Sequence, residues 1–231
     1  LSGLTAVVDG ARLLRTGEAS VVLVGGQESM TNAPHLLPGA RAGFRYGDAT
    51  LLDAVARDGL SDAFDGQAMG LSTEEHNTDD VFVSRAEQDE IAAASHQRAA
   101  RAAKDGVLTA EIAPVEVPQR RGEPVVVTAD EGVRPDTTAD GLARLRPAFS
   151  PDGTLTAGNS SQISDGAAAL VLTTRARADA AGVPVLATVR AAGQVAGPDT
   201  SLHSQPARAI DAALAREGWT PQDLARVEIN E

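Results

Sequence analysis

The 231-residue chain has no cysteine. Disulfides, thiolate metal sites and catalysis by a cysteine of its own are thereby excluded. Aromatic side chains are nearly as scarce: Phe44, Tyr46, Phe64, Phe82, Phe149 and Trp219 are the full set. Any core must be built from Ala, Val, Leu and Ile. No apolar run reaches the ~20 residues of a membrane span, and the sequence shows neither an initiator Met nor a signal-like segment. Basic residues are outnumbered, with 20 Lys and Arg against 32 Asp and Glu, for a net charge of −12. That balance disfavours nucleic acid and anionic membranes as partners, because the phosphate attraction behind such binding turns repulsive. A polyanionic ligand would need a local basic patch. Arg120, Arg121, Arg134, Arg144 and Arg146 offer one, against the alternative of a solvated, charge-balanced surface.

Familiar chemistry motifs are missing too. There is no G-x-S-x-G elbow, G-x-G-x-x-G, P-loop or H-E-x-x-H. His35, His76, His96 and His203 are isolated, without metal-ligand spacing, and read as surface or structural residues. The acidic pairs Glu74-Glu75 and Asp79-Asp80 read as a solvated face.

What is present is an alternation of helical and strand-like patterns. Leu4, Val7, Val8, Ala11 and Leu14 follow a helical period that Gly17 stops. Val21–Val24 predicts a short buried strand that Gly25-Gly26 ends. Residues 27–83 are loop-rich, with helical pieces expected at 51–56 and 69–76. Ser84 and Glu87 form a capping box opening a helix that runs to Lys104, with Gly106 beyond it. Two β-like segments follow at 112–117 and 124–128, then a polar, Gly- and Pro-rich stretch over 129–164 without clear structure. The last third predicts strands at 167–173, 185–195 and 227–229, and helices at 175–181 and 206–217. The pattern suggests two α/β halves around an inserted region. Because the chain opens on a helical pattern and stops straight after an expected strand, both ends are read as cut.

Three stretches stand out as candidates for function. Gly25-Gly26-Gln27-Glu28-Ser29-Met30 follows a strand, and as a turn alone would be unremarkable. Thr156 to Gly166 is small, polar and unbranched, which suits either close backbone approach to a ligand or a flexible linker. Asn230-Glu231 follows an expected strand, where open α/β sheets place ligand-binding residues; a plain turn is the alternative.

In order and spacing these stretches resemble the thiolase family. Leu1-Ser2-Gly3-Leu4 looks like the residues after that family's nucleophilic cysteine, and Gly25 to Met30 resembles its GG-x-ESM segment, continued by Asn32-Ala33-Pro34. Met69-Gly70 with Thr73-Glu74, then Arg85 through Asp89, Leu145 to Phe149 and Thr156 to Gly166 resemble further family segments. Glu228 to Glu231 looks like the opening of its NEAF motif.

The resemblance implies an α/β, layered α-β-α-β-α fold, here incomplete. It places the late first half at 1–30, a loop domain and flanks at 31–155, the return to the first half at 156–184, and the second half from 185 to 231. It also implies thioester exchange between acyl-CoA and coenzyme A, both as substrates, with no tightly bound cofactor or metal. The nucleophile would precede Leu1 and the catalytic histidine would follow Glu231, so the chain alone is expected to be inactive. A thiolate before a helix beginning near Leu1 would be stabilised by the helix dipole. By resemblance Asn230 holds an oxyanion-hole water. Ala157 and Ser161 contact the pantetheine arm, Arg134 lies near the adenine nucleotide, and Met69 walls the acyl pocket. Two departures bear on subtype: Ala68 stands where many members have His, and Gln162 replaces a glycine common in short-chain biosynthetic members. The implied parent enzyme is cytoplasmic and a homodimer or homotetramer. Two other classes compete. One is a non-catalytic acyl-CoA- or lipid-binding relative; the other is a β-ketoacyl synthase relative, against which the GG-x-ESM and TAGN stretches argue.

Overall fold

The structure, a computed structural model, describes residues 1–229. They fall into two compact units, one of Leu1–Thr73 with the stretch from Ile163 onward, the other of Glu74–Gln162.

The first unit is built around helix α1 (Ser2–Thr16), strand β1 (Val21–Glu28) and strand β6 (Gly166–Thr173). Gly17 closes α1 in the left-handed region, φ 76°, as its position after the last apolar residue predicted. β1 does not stop at Val24. It runs through Gly25 and Gly26 and pairs antiparallel with β6, from Val21 opposite Thr173 to Glu28 opposite Gly166. The glycines serve close approach rather than a turn. A Cβ on Gly25 would sit 2.5 Å from the Ala168 carbonyl oxygen, and one on Gly26 would sit 3.1 Å from Gly3 Cα.

Alternation along the ladder sends Val22, Val24 and Leu172 toward Gly10 of α1, where a Cβ would meet all three side chains. Val24 and Ala11 are buried there. The opposite face is open: Leu23 is 73% exposed and Val171 69%. The expectation of a buried strand is corrected on this point, since the face turned away from α1 is exposed.

Between these strands lie β2 (His35–Leu36) and β3 (Leu52–Asp53), a two-residue antiparallel pair. The expected helical piece at 51–56 is instead β3 followed by one π-turn, Val55–Gly59. Helix α2 (Met69–His76) forms as expected, and the division between units falls inside it.

The second unit is organised by helix α3 (Arg85–Lys104). Its capping box is complete, with Ser84 Oγ and N–H both directed to Glu87 and the Glu87 N–H returned to Ser84 Oγ. Strands β4 (Val115–Val117) and β5 (Val125–Val127) make an antiparallel hairpin. The stretch expected to lack structure contains helix α4 (Ala139–Leu142), opened by Thr138, whose hydroxyl accepts from the Gly141 N–H.

Helices α5 (Arg175–Ala181) and α6 (Gln205–Glu217) complete the first unit, with left-handed Gly182 and Gly218 at their ends. The strands expected at 185–195 and 227–229 are not formed. A strand needs a hydrogen-bonded neighbour, and among the described residues none pairs with them. Side chains take several of the backbone groups instead. Glu217 Oε1 accepts from Ala191 N–H at 2.7 Å, and Arg216 donates to the Ala192 carbonyl.

Candidate functional site

In the second unit, the side chains most thoroughly removed from water are polar: Asp89 is 1% exposed and Thr156 0%. A buried charge survives only when paired and hydrogen-bonded, so the partners of Asp89 define the site.

Arg85 and Asp89 lie one turn apart on α3, the spacing at which oppositely charged side chains meet. Arg85 Nε sits 2.7 Å from Asp89 Oδ2. The same guanidinium donates through Nη2 to the carbonyls of Leu142 at 2.7 Å and Leu145 at 3.1 Å. It therefore ties α3 to the end of α4 and the turn beyond it, where the Leu142 carbonyl also accepts from the Leu145 N–H at 2.9 Å.

The other Asp89 oxygen, Oδ1, accepts from Asn159 Nδ2 at 3.0 Å, and that nitrogen also donates to the Thr154 carbonyl at 3.0 Å. Asn159 Oδ1 then accepts from the Thr156 N–H at 2.7 Å, and Thr156 Oγ1 accepts from the Gly158 N–H at 3.2 Å. Gln88 reinforces the turn by donating to Thr154 Oγ1 at 3.0 Å. Gly158 packs closely here: a Cβ would lie 2.5 Å from Leu142 Cδ2 and would have to push that side chain aside. Thr156, Gly158 and Asn159 thus hold the loop from inside, while Ala157 and Ser161 are exposed on it. The linker alternative for this stretch gives way to a closed hydrogen-bonded turn.

Glu74 is not part of a solvated face, which corrects the expectation for that pair. Its carboxylate accepts from Ser150 Oγ at 2.5 Å and from the Leu155 N–H at 3.2 Å. It steadies the turn that leads into the loop, where Ala148 N–H donates to the Leu155 carbonyl and Pro147 bridges to Thr156. Asp79 and Asp80 remain exposed.

The loop's far end is tied to the segment carrying Arg134. Gln162 Nε2 donates to the Gly132 carbonyl at 3.0 Å, and the Arg134 N–H donates to His96 Nδ1 at 3.2 Å. That bond requires Nδ1 to be the unprotonated nitrogen of the ring. His96 is structural, as expected. Three of the five expected site residues, Arg134, Ala157 and Ser161, therefore sit on joined segments of one unit.

Met69 belongs to the first unit, at the start of α2 and 39% exposed. Its N–H donates to the Leu60 carbonyl at 2.8 Å. Leu60 lines an open cleft of about 360 Å³ with Met30, Ala33 and Val55. Two other flagged stretches meet in this unit. Asp165 Oδ1 accepts from the Thr31 N–H at 2.9 Å, and its Oδ2 accepts from Ser29 Oγ at 3.2 Å. The Thr31 N–H first, with the Thr31 and Ser29 hydroxyls behind it, outweighs desolvation and holds the Asp165 carboxyl below the usual range. Asn230 lies outside the described residues.

Asp89, Asn159, Glu74 and Asp165 were not singled out from the sequence as site-building residues. The readable signal was Arg85 and Asp89 at helical spacing. Among the described residues no three His, Cys, Asp or Glu side chains gather as a metal site, and no helix is long and apolar enough to cross a membrane.

Comparison with known proteins agrees with this architecture. The family model for the thiolase N-terminal domain matches residues 1–176. Over all 231 residues the chain is 55% identical to a probable acetyl-CoA acetyltransferase of Mycolicibacterium smegmatis, covering 59% of it. It is likewise 55% identical over its full length to one of Mycobacterium tuberculosis, covering 58%. The solved acetyl-CoA acetyltransferase of Syntrophomonas wolfei superposes with a TM-score of 0.89 at 32% identity, over 96% of this chain and 55% of that one. The fold is part of the layered α/β thiolase fold. The chain belongs to the thiolase family, and it spans rather more than half the length of the curated relatives it matches.

Proposed function

We propose that the protein serves thiolase-type acyl transfer between acyl-CoA and coenzyme A, and that this chain supplies coenzyme A-binding parts of the site. The observation that carries the reading is the 156–162 loop, locked from within by a buried Asp89 and presenting small exposed residues. The 55% identity over all 231 residues to parts of acetyl-CoA acetyltransferases supports it.

In this reading Ala157 and Ser161 meet the pantetheine arm. Arg134 meets the adenine nucleotide, where a guanidinium can pair with phosphate and stack on a base. Met69 walls the acyl group, and Asn230 holds the water of the oxyanion hole. Residues 31–155 act as the loop domain over the cofactor thiol, between a first half at 1–30 and 156–184 and a second half from 185. The substrates are acetoacetyl-CoA or longer 3-ketoacyl-CoA, in fatty acid metabolism, and the working protein is a cytoplasmic homodimer or homotetramer.

The nucleophile of such a reaction is a cysteine, and the 231 residues contain none. The chain by itself is therefore expected to bind coenzyme A and to turn nothing over. A second reading, a non-catalytic acyl-CoA- or lipid-binding member of the family, gains if the residue before Leu1 in the natural protein is other than Cys. A coenzyme A-dependent thiolysis assay on the purified chain, paired with calorimetric titration of coenzyme A, tests its binding and its inactivity. Binding without turnover is the expected result. Measurable turnover removes the inactivity claim, and absence of binding removes the coenzyme A reading.

A further inference from the structure

We propose that Asp89, which lies inside the unit and faces no ligand, is a positioning residue for the pantetheine-contacting face of the 156–162 loop, acting through Asn159. The proposal rests on the coenzyme A reading above and adds to it the side chains that give the loop its shape.

A carboxylate can only accept hydrogen bonds, whereas a primary amide has a donating end and an accepting end. Asp89 Oδ1 lies 3.0 Å from the Asn159 side chain, and the Thr154 carbonyl, also purely an acceptor, lies 3.0 Å from the same atom. Two acceptors on one side compel the amide to present Nδ2 there. Its oxygen is thereby turned the other way, onto the Thr156 N–H at 2.7 Å. Thr156, 0% exposed, can then hold the Gly158 N–H. The chain of consequences runs from Asp89 to Asn159 to Thr156 to Gly158, and Ala157 lies inside the turn so formed, with Ser161 two residues past Asn159.

Arg85 gives Asp89 its own orientation. Its Nε occupies Oδ2, leaving Oδ1 for the asparagine. Its Nη2 donates to the Leu142 and Leu145 carbonyls, so the carboxylate is anchored to the end of α4 and the turn after it as well as to α3. A site wall defined this way is fixed by side chains that never touch the ligand, and small displacements of such a wall are felt as lost affinity.

The test is Asp89→Asn in the full chain, with coenzyme A and adenosine 3′,5′-bisphosphate as separate probes in calorimetric or competition titrations. The replacement amide can donate toward Asn159, so the orientation of that side chain is no longer compelled. Coenzyme A is expected to bind about tenfold more weakly, while adenosine 3′,5′-bisphosphate, which has no pantetheine arm, keeps its affinity. A merely structural loss would lower both together and overturns the proposal, as does unchanged coenzyme A binding. Should Asp89→Asn fail to fold, Asn159→Ala leaves the Arg85–Asp89 pair intact, and the same selective loss is expected. Equal effects on both probes, or none, refute it there too. A wild-type chain that binds neither probe overturns the coenzyme A reading itself and the proposal with it, a result distinct from any of the variant outcomes.

Discussion

Asn159 Nδ2 lies 3.0 Å from Asp89 Oδ1, joining the middle of a polar loop to a helix residue that is 1% exposed. This contact explains how a stretch of Thr, Ala, Gly, Asn and Ser holds one shape without an apolar core of its own. Asp89→Ala strands Arg85 and Asn159 together. Breaking a buried pair from one side is expected to destabilise the chain by about 3 kcal/mol, the lower end because Arg85 keeps some solvent contact. Urea unfolding followed by circular dichroism measures it, and a loss under 1 kcal/mol would contradict the role given to Asp89.

Two glycines should rank differently when a methyl is added. At Gly193 a Cβ would lie 1.8 Å from the Ala209 carbonyl oxygen, on the backbone of α6, which cannot rotate away. At Gly158 the nearest atoms are the ends of Leu142 and Leu145, which can turn. Gly193→Ala is expected to cost about 3 kcal/mol and Gly158→Ala about 1 kcal/mol. Paired denaturation curves give the order, and the reverse order would refute the packing described around α6.

Acid should loosen the junction of the 25–30 and 156–166 stretches. Asp165 has its folded-state affinity for protons lowered by the Thr31 N–H and the neighbouring hydroxyls. A group whose pKa falls on folding contributes stability above its unfolded value, about 4, and the contribution is lost as pH drops through the lower folded value. Amide exchange at Thr31 is expected to be slow at neutral pH and to lose its protection below pH about 4. In Asp165→Asn that pH dependence should be absent. A Thr31 amide indifferent to pH in the wild type would sink the assignment.

Removing the first cap of α3 has a smaller effect. Ser84→Ala deletes the hydroxyl that accepts from the Glu87 N–H and is expected to cost about 1 kcal/mol. Helical circular dichroism during thermal melting reads the change, and Ser84→Asp should recover most of it.

Helix ends were legible in the sequence because their causes are local. Gly17 and the Ser84–Glu87 box each act within a few residues, and both cap helices as expected. Strands were less legible, since a ladder depends on a partner far along the chain. Residues 185–195 and 227–229 have strand-like composition but no paired neighbour among the described residues. Gly25 and Gly26 read as a stop because a glycine's local freedom is visible in sequence. The approach of Ala168 and Gly3 that requires them is not. Asp89, Asn159 and Glu74 lie in stretches that stand out in the sequence, but their structural roles depend on neighbours distant along the chain. Glu74 shows the limit well: beside Glu75 in a polar stretch, it gives no hint that Ser150 and Leu155 will fold back onto it.

The uncovered side of the β1–β6 ribbon has a bearing on colloidal behaviour. Leu23 and Val171 present an oily strip to water, and a net charge of −12 sets a mutual repulsion against its adhesion. Dissolved ions shorten the reach of that repulsion to about 8 Å at physiological strength. Light scattering should accordingly rise with added salt, and most steeply as the medium approaches pH 4.7, where the repulsion vanishes.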